Sequence, residues 1–493
     1  MIIGIDLGTT FSAAAYIDKN GMPSMIDFSS GNRLLPSVVM EDDDGSIVVG
    51  DEAKDNLVVM CDSIASTVKD YMGTDKKIQF SSGNVYTPER ISALILKKIQ
   101  KESSEFLGQE ITKAVVTVPA YFNDAQRQAT KDAGKIAGLD VIDMPNEPTA
   151  AAIYYAYSSK MEKGRVLVYD LGGGTFDVSI VEINGRKASV VATGGIRKLG
   201  GHFFDQLIID YVNDYLTHKY DIDLYDDEYI DELQDLTLKA ENCKIQLSGR
   251  NSASIAVKVG KVKERIEITR EKFEELIHKF YNRTESTVSM VLKDAKMTWS
   301  DIDKLLLVGG SSKIPYIAEK LKEFSGLEPS HETNPDEAVA LGAALYASDL
   351  FEKIQDVCSH SLGIVSKNPI TKQEYNSIII PRNTQLPVKM SKDYYMGADN
   401  VSKISLTVTE GEEEDLDFVS VLAEVEIKLP PNVPRNTRVT VEMELNKNQL
   451  LHVYARVHIE PEFYREIEIE RNGNLDNEEV EEQTILMEKV VIV

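Results

Sequence analysis

Two copies of one short device constrain this chain more than anything else in it. They are Asp6-Leu7-Gly8-Thr9-Thr10-Phe11 and Asp170-Leu171-Gly172-Gly173-Gly174-Thr175-Phe176-Asp177. Each follows a short apolar run, Ile2 to Ile5 or Val166 to Tyr169, and precedes another, Ala13 to Ile17 or Val178 to Ile183. The pattern predicts strand, tight turn, strand. A carboxylate closing the first strand gives a water-held cation a negative anchor, and the glycine and hydroxyl residues after it give phosphate oxygens bare backbone N–H groups. One copy alone reads as an ordinary glycine-rich hairpin. A matched pair predicts two facing loops that grip a nucleotide's phosphates from both sides.

At 493 residues the chain exceeds one ordinary domain, and two or more lobes are expected. Apolar content of 42% and charged content of 27% fit a water-soluble globular protein. Lys and Arg number 54 against 80 Asp and Glu, a net charge of −26 that repels nucleic acid and anionic lipid. No apolar run is long enough to span a bilayer, and no basic, cleavable leader opens the sequence, so neither membrane nor nucleic acid is an expected partner and a cytoplasmic location is expected. Cys61, Cys243 and Cys358 are odd in number and far apart, which fits reduced thiols better than a disulfide framework or a zinc site.

Along the chain, a helical stretch ending near Lys69 is expected, in which Lys69 by itself reads as a solvated surface lysine. Pro88 to Leu107 has helix-period apolar residues, Ala114 to Val118 reads as a buried strand, and Asp124 to Leu139 as a helix stopped near Gly138. Asn146-Glu147-Pro148 begins another helix, where Glu147 is either a first-turn acid or a third carboxylate facing the cation site. Asp231 to Leu247 is a long helix in which Glu241 and Lys244 share a face, a surface salt bridge on the local reading. Ile302 to Val308 runs into a third glycine turn, Gly309-Gly310-Ser311. A further helix follows Asn334-Pro335-Asp336-Glu337. Alternating strands and helices around a duplicated hairpin predict two related α/β lobes.

Beyond about Leu350 the pattern changes to strict alternation: Ile404, Leu406 and Val408, then Val439, Val441, Met443 and Leu445, then Ile467 and Ile469. Turn signals separate these runs, and an antiparallel β-domain with one buried face is expected.

Many of these blocks together resemble the 70-kDa heat-shock protein (DnaK-type) chaperone family. The blocks are Gly4 to Thr10, Val118-Pro119-Ala120-Tyr121-Phe122-Asn123-Asp124, Asn146 to Ala152, Asp170 to Asp177, Val308 to Ser311 and Asn334 to Ala338. Ser361 to Ile364 and Pro381 to Pro387 extend the resemblance into the β-domain. Asp356-Val357-Cys358 and Met72-Gly73-Thr74 resemble a specialised HscC-like branch.

The resemblance implies a duplicated, two-lobed, α/β actin-like ATPase domain over residues 1–351 and a linker over 352–358. It further implies an all-β sandwich that binds peptide over 359–475 and a short tail over 476–493, without the family's helical lid. It implies ATP and ADP with Mg2+. Gly8, Thr9, Thr10 and Phe11 would line the phosphates, opposite Gly172, Gly173, Gly174 and Thr175. Asp6, Glu147, Asp170 and Asp177 would surround the magnesium ion, largely through water, and Lys69 would orient the attacking water and stabilise γ-phosphate charge. Gly200, Gly201, Glu241, Lys244, Ser248, Gly309, Gly310, Ser311, Lys313 and Asp336 would hold the β-phosphate or adenosine. Pro119 and Arg127 resemble the proline switch and arginine relay to the peptide domain. The chemistry so implied is phosphoryl transfer to water, and no P-loop motif competes with it.

The partners implied are unfolded or extended polypeptides, a J-domain protein and a nucleotide exchange factor. Three departures bear on them. The linker reads Glu352-Lys353-Ile354-Gln355-Asp356 where the family has an apolar run, which puts allosteric coupling in question. Asp143 replaces a usual arginine and puts J-domain docking in question. His202-Phe203 stands where an acidic pair is usual, and His202 is expected as a local surface change. Two further readings stand beside the chaperone: a nucleotide-dependent binding module with weak ATPase and one folded partner, and a sugar or acetate kinase of the actin-like superfamily.

Overall fold

The computed structural model describes residues 1–42, 44–330, 332–348, 350–351, 355–460, 463–467 and 474–492. Its first two large sheets repeat one order of strands. In the first, the strand Ile2–Asp6 lies between an antiparallel neighbour, Phe11–Ile17, and a parallel one, Lys113–Thr117. Pro23–Met25 and Asp140–Asp143 extend the two sides. In the second, Lys163–Leu171 lies between antiparallel Phe176–Asn184 and parallel Lys304–Val308, extended by Lys187–Ile196 and Pro329–Ser330. The sequence duplication is thus a duplication of whole lobes, and each glycine loop is the hairpin between a central strand and its antiparallel neighbour.

The lobes meet through two small-residue helices, Glu147–Ser158 and Ala338–Tyr346. A Cβ on Gly342 would lie 1.8 Å from the Ala150 carbonyl oxygen, and one on Gly4 would lie 2.2 Å from the Ala344 nitrogen. Only glycine permits these helices to pack so closely on each other and on the first sheet. Backbone approach at this range fixes the angle between lobes, and with it the cleft they enclose.

Several expected elements form with small shifts. The helices Pro88–Leu107, Asp124–Ile136 and Ile230–Gly249 are present. The segment before Lys69 differs: it contains a five-residue helix, Asp51–Asp55, a short strand, Ile64–Ala65, and a 3-10 turn, Val68–Tyr71. Thr67 adopts φ 54 immediately before that turn, and β-branched Ile64, Thr67 and Val68 disfavour a continuous helix.

Residues from Leu362 onward form two four-stranded antiparallel sheets that bury one core between them, including Ile380, Val408, Met443 and Val453. The strand Arg438–Leu445 buries Val439, Val441, Met443 and Leu445 in alternation, as its pattern dictates. Ile469 lies outside the described residues, and of Ile467 only the backbone is described.

This β-domain is docked on the first two lobes. Leu451 N donates to Asp124 Oδ1 at 2.8 Å, and the His360 ring packs 4.0 Å from Tyr121. Thr193 N donates to Asn383 Oδ1 at 3.1 Å, and Arg382 pairs with Asp294. Linker residues Glu352, Lys353 and Ile354 lie outside the described residues. Gln355 docks by its backbone on the strand Lys187–Ile196, donating to Ala188 O and accepting from Val190 N at 2.9 Å. Val357 is buried against the helix Glu147–Ser158 and its neighbours. Asp143, the reversed charge, forms an ion pair with Lys447 of the β-domain.

The end of the chain returns to the first lobe. Asp476 and Glu479 form a reciprocal cap on the helix Asn477–Met487, with bonds of 2.8 and 2.9 Å. Val480, Met487 and Ile492 are buried in the first lobe's core, and Ile492 adds in parallel beside Ile47, whose N–H donates to Val491 O at 3.0 Å. Lys97 and Lys101 donate to the carbonyls of Met487 and Ile492.

Candidate functional site

A cavity of about 600 Å3 lies between the two lobes. The glycine loops close on it from opposite sides: a Cβ on Gly173 would fall 2.1 Å from Thr10 Oγ1, and one on Gly174 would fall 2.8 Å from Thr9 Oγ1. Side chains are excluded there, so backbone N–H groups and threonine hydroxyls form the surface. Gly201 N and His202 N donate at 3.0 Å to Gly172 O and Gly173 O. Ser311 Oγ donates to Gly172 O at 2.8 Å. These bonds tie the loop to the start of the helix Gly201–Tyr220 and to the third glycine turn. In that turn Gly309 has φ 79 and abuts Leu171 O, a position only glycine fills without strain.

Every residue expected at the site lines this cavity except Gly174, Gly200 and Asp177. Those three stand immediately behind the lining. Gly200 packs on the Gly173 backbone, and Asp177 accepts from Tyr121 N at 2.9 Å.

Lys69 is a buried cation, contrary to its local reading as a solvated surface lysine. Its Nζ lies 2.6 Å from Glu147 Oε1, and the two side chains are 9% and 11% exposed. Around this pair stand Asp6, Asp170 and Asp177. Burial, then the Glu147 charge, pushes Asp6 and Asp177 each up to about 7. The same two causes, in the same order, raise Asp170 well above the carboxylate range. Burial opposes the Lys69 charge, yet Glu147 and Asp6 together hold its pKa above the ordinary lysine value. Four closely set carboxylates, those of Glu147, Asp170 and Asp177 buried and that of Asp6 partly so, thus share one ammonium, a crowding that a divalent cation would relieve.

Among the described residues no group of three or more His, Cys, Asp or Glu is placed to ligate an ion directly. A hydrated magnesium ion fits this spacing, because water can bridge carboxylates set too far apart for inner-sphere contact.

The outer end of the cavity corrects the local reading of Glu241 and Lys244. They do not pair with each other. Glu241 reaches across the cleft to Lys54 of the first lobe at 2.9 Å, and Lys244 bonds Asp205 at 2.7 Å and Gly201 O at 3.0 Å. Lys313 pairs with Asp336, and Ser248, Ile245 and Leu238 complete a wall of mixed polarity suited to a nucleoside. Lys54 had no signal in the sequence, since it is one of several charges on the five-residue helix Asp51–Asp55.

The family model for Hsp70 protein matches residues 2–491. The chain belongs to the Hsp70 family. It is 39% identical over 471 residues to the Chaperone protein DnaK of Thermosipho melanesiensis, covering 92% of this chain and 78% of that one. The corresponding chaperone of Thermotoga neapolitana is also 39% identical, over 472 residues, with the same coverages. That of Thermosipho africanus is 39% identical over 471 residues, 92% of this chain and 77% of the relative. As an Hsp70-family protein it is an ATP-dependent molecular chaperone and an ATPase. No helix among the described residues is long and apolar enough to cross a membrane.

A continuous chain of bonds runs from the cleft toward the β-domain. Arg127 donates from Nε to Phe122 O at 3.1 Å and from Nη2 to Ala120 O at 3.3 Å, bracketing the segment that begins at Pro119. The same guanidinium donates to Asn146 Oδ1 at 2.7 Å, and Asn146 Nδ2 donates to Asp356 Oδ2 of the linker at 2.7 Å. Glu147, the partner of Lys69, is the next residue. Burial, opposed by Arg127, raises Asp356 to about 6.

Proposed function

We propose that the cleft binds MgATP with its phosphates between the loops of residues 8–11 and 172–175, and that Lys69 orients the attacking water. The reading is carried by one observation: a buried ammonium, 2.6 Å from Glu147, at the meeting point of two facing glycine loops. The architecture is read as an actin-like ATPase domain followed by a peptide-binding β-sandwich. Bound magnesium would supply positive charge to the phosphates, with Asp6, Glu147, Asp170 and Asp177 holding its water shell. The loops' N–H groups and the Thr9, Thr10 and Thr175 hydroxyls fix the phosphoryl oxygens. Glu147 holds Lys69 in place, and Asp177 is fixed by Tyr121 N, so the donors are set before charge develops in transfer to water.

The β-domain is proposed to hold unfolded or extended polypeptides in the manner named for the family, in exchange with the nucleotide state. The altered linker, which put coupling in question, and the charge reversal at Asp143, which put J-domain docking in question, are both met by other contacts. The linker docks through the Gln355 backbone and buried Val357 rather than through an apolar run, and Asp143 engages Lys447. A J-domain partner would therefore meet an acid already paired with Lys447. These contacts favour the chaperone over a binding module with an uncoupled β-domain.

The test is the anisotropy of a labelled extended apolar peptide with ATP and with ADP. The expected result is binding at least about tenfold weaker with ATP, a difference near 1.4 kcal/mol and within the usual range of coupling energies. Equal affinity in both states would contradict the reading.

A further inference from the structure

His202 is not the surface change that local reading suggested. Its Nε2 lies 3.2 Å from Asp70 Oδ2, and the side chains are 27% and 14% exposed. The two residues belong to different lobes. Asp70 follows Lys69 in the turn Val68–Tyr71, whereas His202 opens the helix Gly201–Tyr220 behind the second glycine loop.

The pair straddles that loop. His202 N donates to Gly173 O, and Asp70 Oδ1 stands 2.5 Å from the place a Cβ on Gly174 would take. Phe203 packs on the imidazole with ring centroids 4.0 Å apart. Nδ1 is buried without a hydrogen-bond partner, so the ring's polar contact is the one from Nε2 to Asp70, and it crosses the cleft.

We infer that Asp70 and His202 form a clamp across the cleft that holds the second phosphate loop against the Lys69 turn and thereby slows the departure of nucleotide. The inference rests on the reading that the cleft holds nucleotide. His202 is a positioning residue: it acts through the loop and the turn, with no contact to the reacting atoms required.

The 3.2 Å approach of Nε2 to Asp70 Oδ2 is an ion pair when the imidazole is protonated. It joins the turn that carries Lys69 to the helix behind the second glycine loop, so moving the lobes apart must break it.

The experiment is stopped-flow release of a fluorescent ADP analogue with magnesium from the full chain, for wild type, His202→Gln, Asp70→Asn and the double variant. The expected result is release about threefold or more faster in each single variant, in line with a partly exposed ion pair, and a double variant no faster than the faster single one. Wild-type release in both single variants, or effects that add in the double variant, would overturn the clamp and leave the pair a structural contact, while the nucleotide site stood. Failure of wild type to bind the analogue would overturn both the site and the inference. Thermal unfolding of each variant separates loss of fold from loss of the clamp.

Discussion

Lys69→Ala is expected to lower the rate of ATP hydrolysis by about 10²- to 10³-fold, the scale on which removal of one preorganised charge-stabilising group acts. Among the described residues the ammonium is the cation set among Asp6, Glu147, Asp170 and Asp177, and Glu147 and Asp6 hold its pKa above the ordinary lysine value against the effect of burial. On the proposed reading its loss removes positive charge from the γ-phosphate, and it also leaves Glu147 without its partner. Nucleotide affinity should change far less, because the loops of residues 8–11 and 172–175 and the wall at Glu241 and Lys244 remain. Single-turnover hydrolysis and equilibrium nucleotide binding, measured on one preparation, check this. Parallel loss of binding and hydrolysis would mean that Lys69 holds nucleotide rather than acting on the chemical step. Lys69→Arg is not expected to rescue, since a planar guanidinium cannot occupy the space of a compact ammonium against Glu147.

Removal of residues 475–492 is expected to destabilise the first lobe by about 4 kcal/mol or more. Val480, Met487 and Ile492 are almost wholly buried in its core, and each buried side chain of this size contributes roughly 1.5–3 kcal/mol. The truncation also leaves Ile47 N without its acceptor and opens an apolar face beside the strand Ile47–Val49. Lys97→Gln with Lys101→Gln, which loosens only the two bonds to the tail carbonyls, should cost about 1–2 kcal/mol. Thermal unfolding checks both, with the double variant between wild type and truncation. A truncated chain that melts with wild type would mean that the tail rests on the lobe without supporting it.

The tail shows why part of this structure is hard to read from residues. Val480, Met487 and Ile492 form an acidic-then-apolar segment with no period of its own, and nothing in that pattern names the core that receives it. Lys69 is hidden for a related reason. It lies in a 3-10 turn after a left-handed Thr67, and its partner Glu147 is 78 residues away, so only the resemblance pointed to it. Glu241 and Lys244 misled in the opposite sense: helical spacing predicts a local pair, but each found a stronger partner across the fold. Asp143 and Lys447, 304 positions apart, are compensating charges that look like an isolated reversal when one is read alone.

What could be read was what the backbone itself dictates. The two glycine loops and the strands on either side of them follow from local steric demands, and those demands fixed the walls of the cleft. The alternation in the strand Arg438–Leu445 likewise names the buried face of the sandwich before any partner is known.

The most direct measurement is single-turnover ATP hydrolysis by the full chain with and without a pool of unfolded peptides, alongside Lys69→Ala. Acceleration by peptide, lost in the variant, is the predicted result, because Arg127, Asn146 and Asp356 join the Glu147 helix to the linker. Lys69-dependent hydrolysis that is indifferent to peptide would contradict it, leaving an ATPase whose docked β-domain does not report to the cleft.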